Sequence, residues 1–217
     1  MKPILQNILD WVYPPGCACC LCGEEARTDH RGLCPGCAAR MLPAGKRELP
    51  GVDGAVFACA YTPELATAVH RFKYNDQRWL CGFFAGLLEL PGEWNIDVIA
   101  PVPLHPKKRR KRGYNQSALL ARELEKRWNI PMEEGLVQRL RDTGTQTRLA
   151  AQERVENMAG AFAASPAAKG RNILLLDDVC TTGATLVNCA QALKSAGAEK
   201  VFGAAICSAE LDISKES

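Results

Sequence analysis

From residue 51 onward, apolar and polar positions alternate in short blocks, and the spacing within each block predicts its structure. GAVFACAY (54–61) is nearly continuous in apolar residues and reads as a strand. ELATAVHRFKYNDQRWLCGFFAGLLEL (64–90) reads as one or two helices, with the charged HRFKYNDQR separating two apolar halves. IDVIAPVPL (96–104) is a second strand, ending in prolines. In SALLARELEKRW (117–128), Leu120, Leu124 and Trp128 recur on one helical face, while Glu123 and Arg127 pair elsewhere on the surface. NILLLDDV (172–179) is the unbroken apolar kind of strand that parallel sheets bury on both faces. ATLVNCAQALKSAG (184–197) is a helix with Leu186, Ala190 and Leu193 inward and Gly197 as C-cap, and KVFGAAIC (200–207) is a further strand. Strand, helix, strand in this order predicts an α/β fold: a right-handed parallel sheet with helices on both faces.

Composition alters this picture only near the N-terminus. A chain of 217 residues holds one good core and a small appended module. The net charge of +3 is too small to imply a nucleic-acid binder by itself, although KKRRKR (107–112) concentrates six cations. The opening MKPILQNILDWVYPPG is broken by Gln6, Asn7, Asp10 and two prolines, so it lacks the apolar run of a signal peptide. No apolar stretch is long enough to span a membrane, and a cytoplasmic location is expected. In such a compartment clustered cysteines read as metal ligands before disulfides.

Six of the eleven cysteines fall within CACCLCGEEARTDHRGLCPGC (17–37). Cys34 and Cys37 form one clean C-x2-C pair. Its partner is either Cys17 with Cys20 or Cys19 with Cys22, and Gly23 favours the second, because a tight knuckle needs a glycine-like backbone. Four thiolates suit tetrahedral Zn²⁺, and so short a segment has too little apolar surface to fold without it. The expected ligands are Cys19, Cys22, Cys34 and Cys37, with His30 as a solvated neighbour. Residues 1–45 are therefore read as a zinc ribbon and 46–217 as the main domain, with PAGKRELPG (43–51) as a linker. Cys59, Cys81, Cys180, Cys189 and Cys207 are dispersed and read as small core residues.

The chemistry gathers where NILLLDDV ends. Ligands of open parallel sheets bind beyond the carboxyl ends of the strands. There, Asp177 and Asp178 precede Thr181, Thr182, Gly183, Ala184 and Thr185, which bend into a helix N-terminus. Free amides, hydroxyls and the positive helix end form a phosphate site. A phosphate on one side and acceptor-only carboxylates on the other suit a ribose 5-phosphate. Neighbouring strand residues point to opposite faces, so both acids reach one sugar only if the strand bends at its end.

ILLLDDVCTTGATL (173–186) closely resembles the ribose-5-phosphate loop of type I phosphoribosyltransferases. The wider chain is similar to the ComF/GntX family, through the paired cysteines, HRFKY, PVPLHPKKRRKRGYNQ and TGTQTRLAAQERVENMAGAF, in family order. The resemblance implies a type I phosphoribosyltransferase-like sheet, with 51–95 as hood or N-terminal elements, behind an N-terminal zinc ribbon. It implies that Asp177 and Asp178 contact ribose hydroxyls and that Thr181 to Thr185 cradle the 5-phosphate. The ligand would be phosphoribosyl pyrophosphate with Mg²⁺. The segment PVPLHP, with Leu104 and His105, would lie over the diphosphate, and Arg112 on a mobile basic loop would close over it; Lys73 and Arg148 are further candidates. Thr181 stands where 6-oxopurine salvage enzymes usually carry an acid, and a threonine cannot act as general acid or base near neutral pH, which argues against hypoxanthine or guanine salvage. The biology implied is DNA uptake, competence or use of DNA as a nutrient, alongside other DNA-uptake or recombination proteins. The alternative is a non-catalytic module that binds single-stranded DNA through the basic run, with Tyr114, Trp79 and Trp94 as candidate stacking aromatics.

Overall fold

The computed structural model describes residues 18–140 and 160–209. A five-stranded sheet organises them, in the order β1-β2-β7-β6-β3. These strands are β1 (Pro43–Arg47), β2 (Gly54–Ala60), β3 (Val98–Pro101), β6 (Asn172–Cys180) and β7 (Lys200–Ser208). β2, β7, β6 and β3 run parallel, as the apolar blocks predict, and β1 adds antiparallel to β2 at one edge. A small antiparallel hairpin, β4 (Val137–Arg139) with β5 (Phe162–Ala164), lies apart from this sheet.

The unbroken apolar run of β6 is buried on both faces. Leu174 and Leu176 join one core cluster, Ile173 and Leu175 the other. On the first face pack α2 (Pro63–Tyr74), α3 (Leu80–Leu87) and α5 (Gln116–Trp128), through Phe72, Phe84, Leu120 and Leu124. On the second packs α6 (Ala184–Ser195), with Leu186, Ala190 and Leu193 inward as expected. Gly197, one residue past the Ala196 cap, takes φ +93° while Ala198 N–H bonds back to Leu193 O, which closes the helix. The apolar stretch 64–90 is two helices, α2 and α3, parted near Asp76, whose φ of +55° no helix accommodates. No described helix is long and apolar enough to cross a membrane.

Three expectations change. The segment 43–51, read as a linker, supplies β1: an edge strand with one solvated side needs no apolar alternation, and PAGKR shows none. The basic run is a short helix, α4 (Pro106–Arg112), with His105 as N-cap, Pro106 in the first turn and Gly113 at φ +80° closing it. Glu123 does not pair with Arg127. It accepts from Lys126 at 2.9 Å, whereas Arg127 reaches across to Glu89 at 2.6 Å and to the carbonyls of Ala85 and Leu88, joining α5 to α3. The cysteine segment, which includes the short helix α1 (Pro35–Arg40), shares the first core: Cys19, Leu21, Leu33 and Cys37 belong to the same apolar cluster as α2 and α3. Of the dispersed cysteines, Cys59, Cys180, Cys189 and Cys207 are buried and Cys81 is half-buried.

Candidate functional site

β3 stops pairing with β6 at Leu176, but β6 continues beside β7 to Cys180. Asp177 and Asp178 therefore lie on an overhang, with one flank open at the carboxyl end of the sheet. Contrary to the sequence reading, the strand does not end at the acids, and both side chains find partners on helices of the first face. Asp178, 8% exposed, pairs with Lys73 of α2 at 2.8 Å. Asp177 accepts from Ser117 Oγ, at the start of α5, at 3.2 Å and from the Asp178 N–H at 2.8 Å.

The electrostatics follow from these contacts. Asp177 keeps a partly exposed edge but is densely surrounded by protein. Burial first, then the Asp178 charge, push its carboxyl up to about 7 against the pull of Lys73, the Asp178 amide and Ser117. Burial works against the Lys73 charge, yet Asp178 and Asp177 outweigh it and hold the ammonium above its ordinary pKa. Arg112 is near enough to oppose Lys73, and is itself anchored to Gln116 Oε1 at 3.0 Å and the Tyr74 hydroxyl at 2.7 Å, over the Tyr74 ring.

After β6 the chain turns through Thr181, Thr182 and Gly183 into α6. Gly183 takes φ +81°, and a Cβ there would meet Leu49 Cδ2 at 2.6 Å, so both conformation and space require glycine. Ala184 and Thr185 open the helix, presenting its positive end beside the acids. The loop is fastened from outside: Arg47 of β1 donates to Thr181 O at 3.2 Å and Thr182 O at 3.1 Å.

The structure thus brings Asp177, Asp178, Lys73 and Arg112 together, next to the loop 181–185. Leu104 and His105 lie in the turn between β3 and α4, where His105 Nδ1 accepts the Lys107 N–H at 3.3 Å as helix cap. Arg148 lies outside the described residues. Sequence reasoning missed Ser117, Arg47 and the buried pair Asn115 and Gln116, of which Asn115 donates to Val102 O at 3.0 Å. The signal for three of them was the polar cluster NQS (115–117) opening an amphipathic helix; Arg47 gave none. Among the stacking candidates, Tyr114 is buried and donates to Phe72 O, Trp94 stacks on Phe202, and Trp79 is exposed.

A second cluster lies at the cysteine knuckles. The ligand atoms of Cys19, Cys22, Cys34 and Cys37 all fall within 4.8 Å of one another, a set that could hold a metal ion. Burial would raise the Cys19 thiol, but the N–H groups of Cys34, Cys22 and Leu21 overcome it and draw the pKa down to about 6. Burial and the neighbouring sulfurs push Cys37 up to about 12. One sulfur favouring charge and one resisting it is what four crowded thiols give until a cation neutralises them, so the donor set fits a soft divalent metal. Cys20 and His30 are outside this set, and Cys17 lies outside the described residues. Among the described residues no other three metal-ligating side chains converge. Arg71, two residues before Lys73 on α2, donates to Cys20 O at 2.5 Å and Leu21 O at 2.7 Å.

Comparison with known proteins agrees with this architecture. The phosphoribosyl transferase domain family matches residues 92–214. DNA utilization protein YhgH of Escherichia coli (strain K12) is 32% identical over 203 residues, covering 87% of this chain and 89% of that protein. Competence protein F of Haemophilus influenzae is 30% identical over 201 residues, covering 84% of this chain and 81% of that protein. Competence protein ComFC of Bacillus subtilis is 35% identical over 100 residues, 46% of this chain and 39% of that protein. With a parallel sheet, an acid pair on its open overhang and a Thr/Gly turn into a helix, this chain belongs to the phosphoribosyl transferase domain family, within the competence protein F group that includes DNA utilization protein YhgH.

Proposed function

We propose that the protein binds phosphoribosyl pyrophosphate, or a related 5-phosphorylated ribose, with Mg²⁺ carried on the phosphates. Asp177 and Asp178 take the ribose hydroxyls, the loop Thr181–Thr185 takes the 5-phosphate, and Arg112 and Lys73 face the diphosphate. Cys19, Cys22, Cys34 and Cys37 hold a structural Zn²⁺. The protein acts in the cytoplasm, where clustered thiols stay reduced, and serves DNA uptake or the use of DNA as a nutrient. The observation that carries this reading is the adjacency of acceptor and donor sites: two carboxylates on the β6 overhang, one paired with Lys73, and the start of α6 directly after them. Calorimetry with phosphoribosyl pyrophosphate and Mg²⁺ tests it. Asp178→Asn and Asp177→Asn are expected to weaken binding about tenfold or more, the worth of one hydrogen bond to a charged group. No heat of binding with folded, zinc-loaded wild type sinks the assignment.

A second reading, a single-stranded DNA accessory module, draws on α4. None of its residues is buried, and Lys107, Arg110 and Lys111 are exposed. Charge-neutralising Lys107, Lys108, Arg109 and Arg110 then flattens the salt dependence of binding, by a slope of about 0.7 for each DNA phosphate the helix no longer neutralises. An unchanged slope removes this reading.

A further inference from the structure

The guanidinium of Arg47 does something specific to the loop after β6. Its Nη1 donates to Thr181 O at 3.2 Å and to Ser208 Oγ at 3.2 Å, and its Nη2 donates to Thr182 O at 3.1 Å. Two consecutive carbonyls are held by one rigid fork. A peptide unit is planar and trans, so its N–H points opposite to its C=O. Fixing Thr181 O therefore fixes the direction of the Thr182 N–H, and fixing Thr182 O fixes that of the Gly183 N–H. Both donors are turned away from Arg47, to the side where the loop enters α6. Leu49, two residues further along, closes over Gly183, where an added Cβ would meet its Cδ2 at 2.6 Å.

The cysteine knuckle shows a related construction beside its sulfurs. Arg71, through Nη2 alone, holds Cys20 O and Leu21 O, which fixes the N–H groups of Leu21 and Cys22. Gly23 follows at φ +82°, as Gly183 does at φ +81°, and a Cβ on Gly23 would strike Arg71 Nη1 at 2.7 Å. In both turns an arginine outside the loop grips consecutive carbonyls, a left-handed glycine follows, and the amides face the other way.

We propose that Arg47 is the positioning residue of the phosphate loop: it presets the Thr182 and Gly183 amides to receive the 5-phosphate of the ribose ligand. This rests on the 5-phosphate assignment above and adds to it a residue of the first edge strand. Arg47 acts through geometry: Nη1 and Nη2 each take one carbonyl in a rigid planar fork, an arrangement that the single nitrogen of a lysine does not reproduce. It is not a phosphate ligand itself.

The test is titration of full-length, zinc-loaded protein with ribose 5-phosphate, followed by calorimetry and by the Thr182 and Gly183 amide resonances. In the wild type both resonances shift on binding. Arg47→Ala and Arg47→Lys are each expected to lose about tenfold or more in affinity, and to lose these two shifts, while other loop resonances still respond. Retention of wild-type affinity by both variants overturns the inference and leaves the 5-phosphate site standing. Rescue by lysine also overturns it, because charge rather than geometry is then at work. Should Arg47→Ala not fold, Arg47→Lys, which keeps the charge and most of the packing, decides alone. Failure of the wild type to bind ribose 5-phosphate fells both the site assignment and the role of Arg47.

Discussion

At the first cysteine knuckle Arg71 grips Cys20 O and Leu21 O; at the turn after β6 Arg47 grips Thr181 O and Thr182 O. The constructions match, but their charges are opposed. The knuckle gathers four sulfurs within 4.8 Å of one another, a set that could hold a cation. The turn after β6 has cations built in beside it, Lys73 and Arg112, and on the proposed function it receives an anion. The two arginines differ accordingly. Both side chains are half-buried; Arg71 comes from a helix packed on the first core and has its Nε buried without an acceptor, whereas Arg47 comes from an edge strand. One turn is thus held from a helix and the other from an edge strand.

Breaking the knuckle has the largest expected effect. Cys34→Ser should reduce metal from close to one per chain to near zero, and the loss of about 10 kcal/mol of structural zinc binding should unfold the segment. Elemental analysis with thermal unfolding reads this. Metal loss in Cys17→Ser and Cys20→Ser, with retention in Cys19→Ser, would transfer the ligand role to the other pair.

Removing the built-in cation comes next. Lys73→Met leaves Asp178 without its partner and should cost about 3 kcal/mol in urea unfolding. Lys73→Met combined with Asp178→Asn should recover much of this, since no unpaired charge remains. An additive double variant would mean that the pair is not energetically joined.

Arg71→Ala should cost about 2 kcal/mol of stability through two lost charge-assisted bonds. Arg47→Ala, on the edge strand, should shift the melting temperature less while weakening ribose 5-phosphate more. Equal shifts in melting temperature would dissolve the distinction between the helix-borne clamp and the edge-strand one.

The smallest effect concerns pH. A folded-state pKa for Asp177 raised to about 7 means that the native protein holds a proton which the unfolded chain has released. The contribution of Asp177 to stability is therefore complete below the ordinary carboxylate range and is lost as pH rises through about 7. Asp177→Asn should flatten the fall in stability across that window relative to wild type. Parallel curves would show that the carboxyl titrates normally.

What the chain revealed in advance depended on burial. β6 and α6 were legible because a doubly buried strand must be apolar throughout, and because acids followed by Thr and Gly have no place in a core. β1 was illegible because an edge strand with Pro43, Gly45 and Lys46 carries no alternation, and its role depends on what it reaches rather than on its composition. Arg71 was hidden in a charged stretch between two apolar halves, and Lys73 was a candidate only through the family resemblance, yet the two point to different sites from one helical turn. α4 escaped because six cations obscured its cap and closing glycine. Ser117 looked like an ordinary first-turn residue, and only its approach to Asp177 distinguishes it.

The strand order has a consequence for how the chain is made. Among the described residues β7 is the last strand in sequence, yet it lies in the middle of the sheet, between β2 and β6. A ribosome that has released everything up to residue 195 has produced β1, β2, β3 and β6, but the β1–β2 hairpin has no place to dock and β6 has one bare edge. Pairings as distant as Gly54 with Phe202 form only when the final strand slides between them. Such non-local closure is slow, and unpaired edges invite association with other chains in the interval. The clamp from Arg47 to the turn after β6, which also takes in Ser208 of β7, forms only after that strand is in place, although Arg47 itself lies on β1, well before it in sequence. A stop codon just before β7 should therefore yield an insoluble product rather than a shortened protein with a working site.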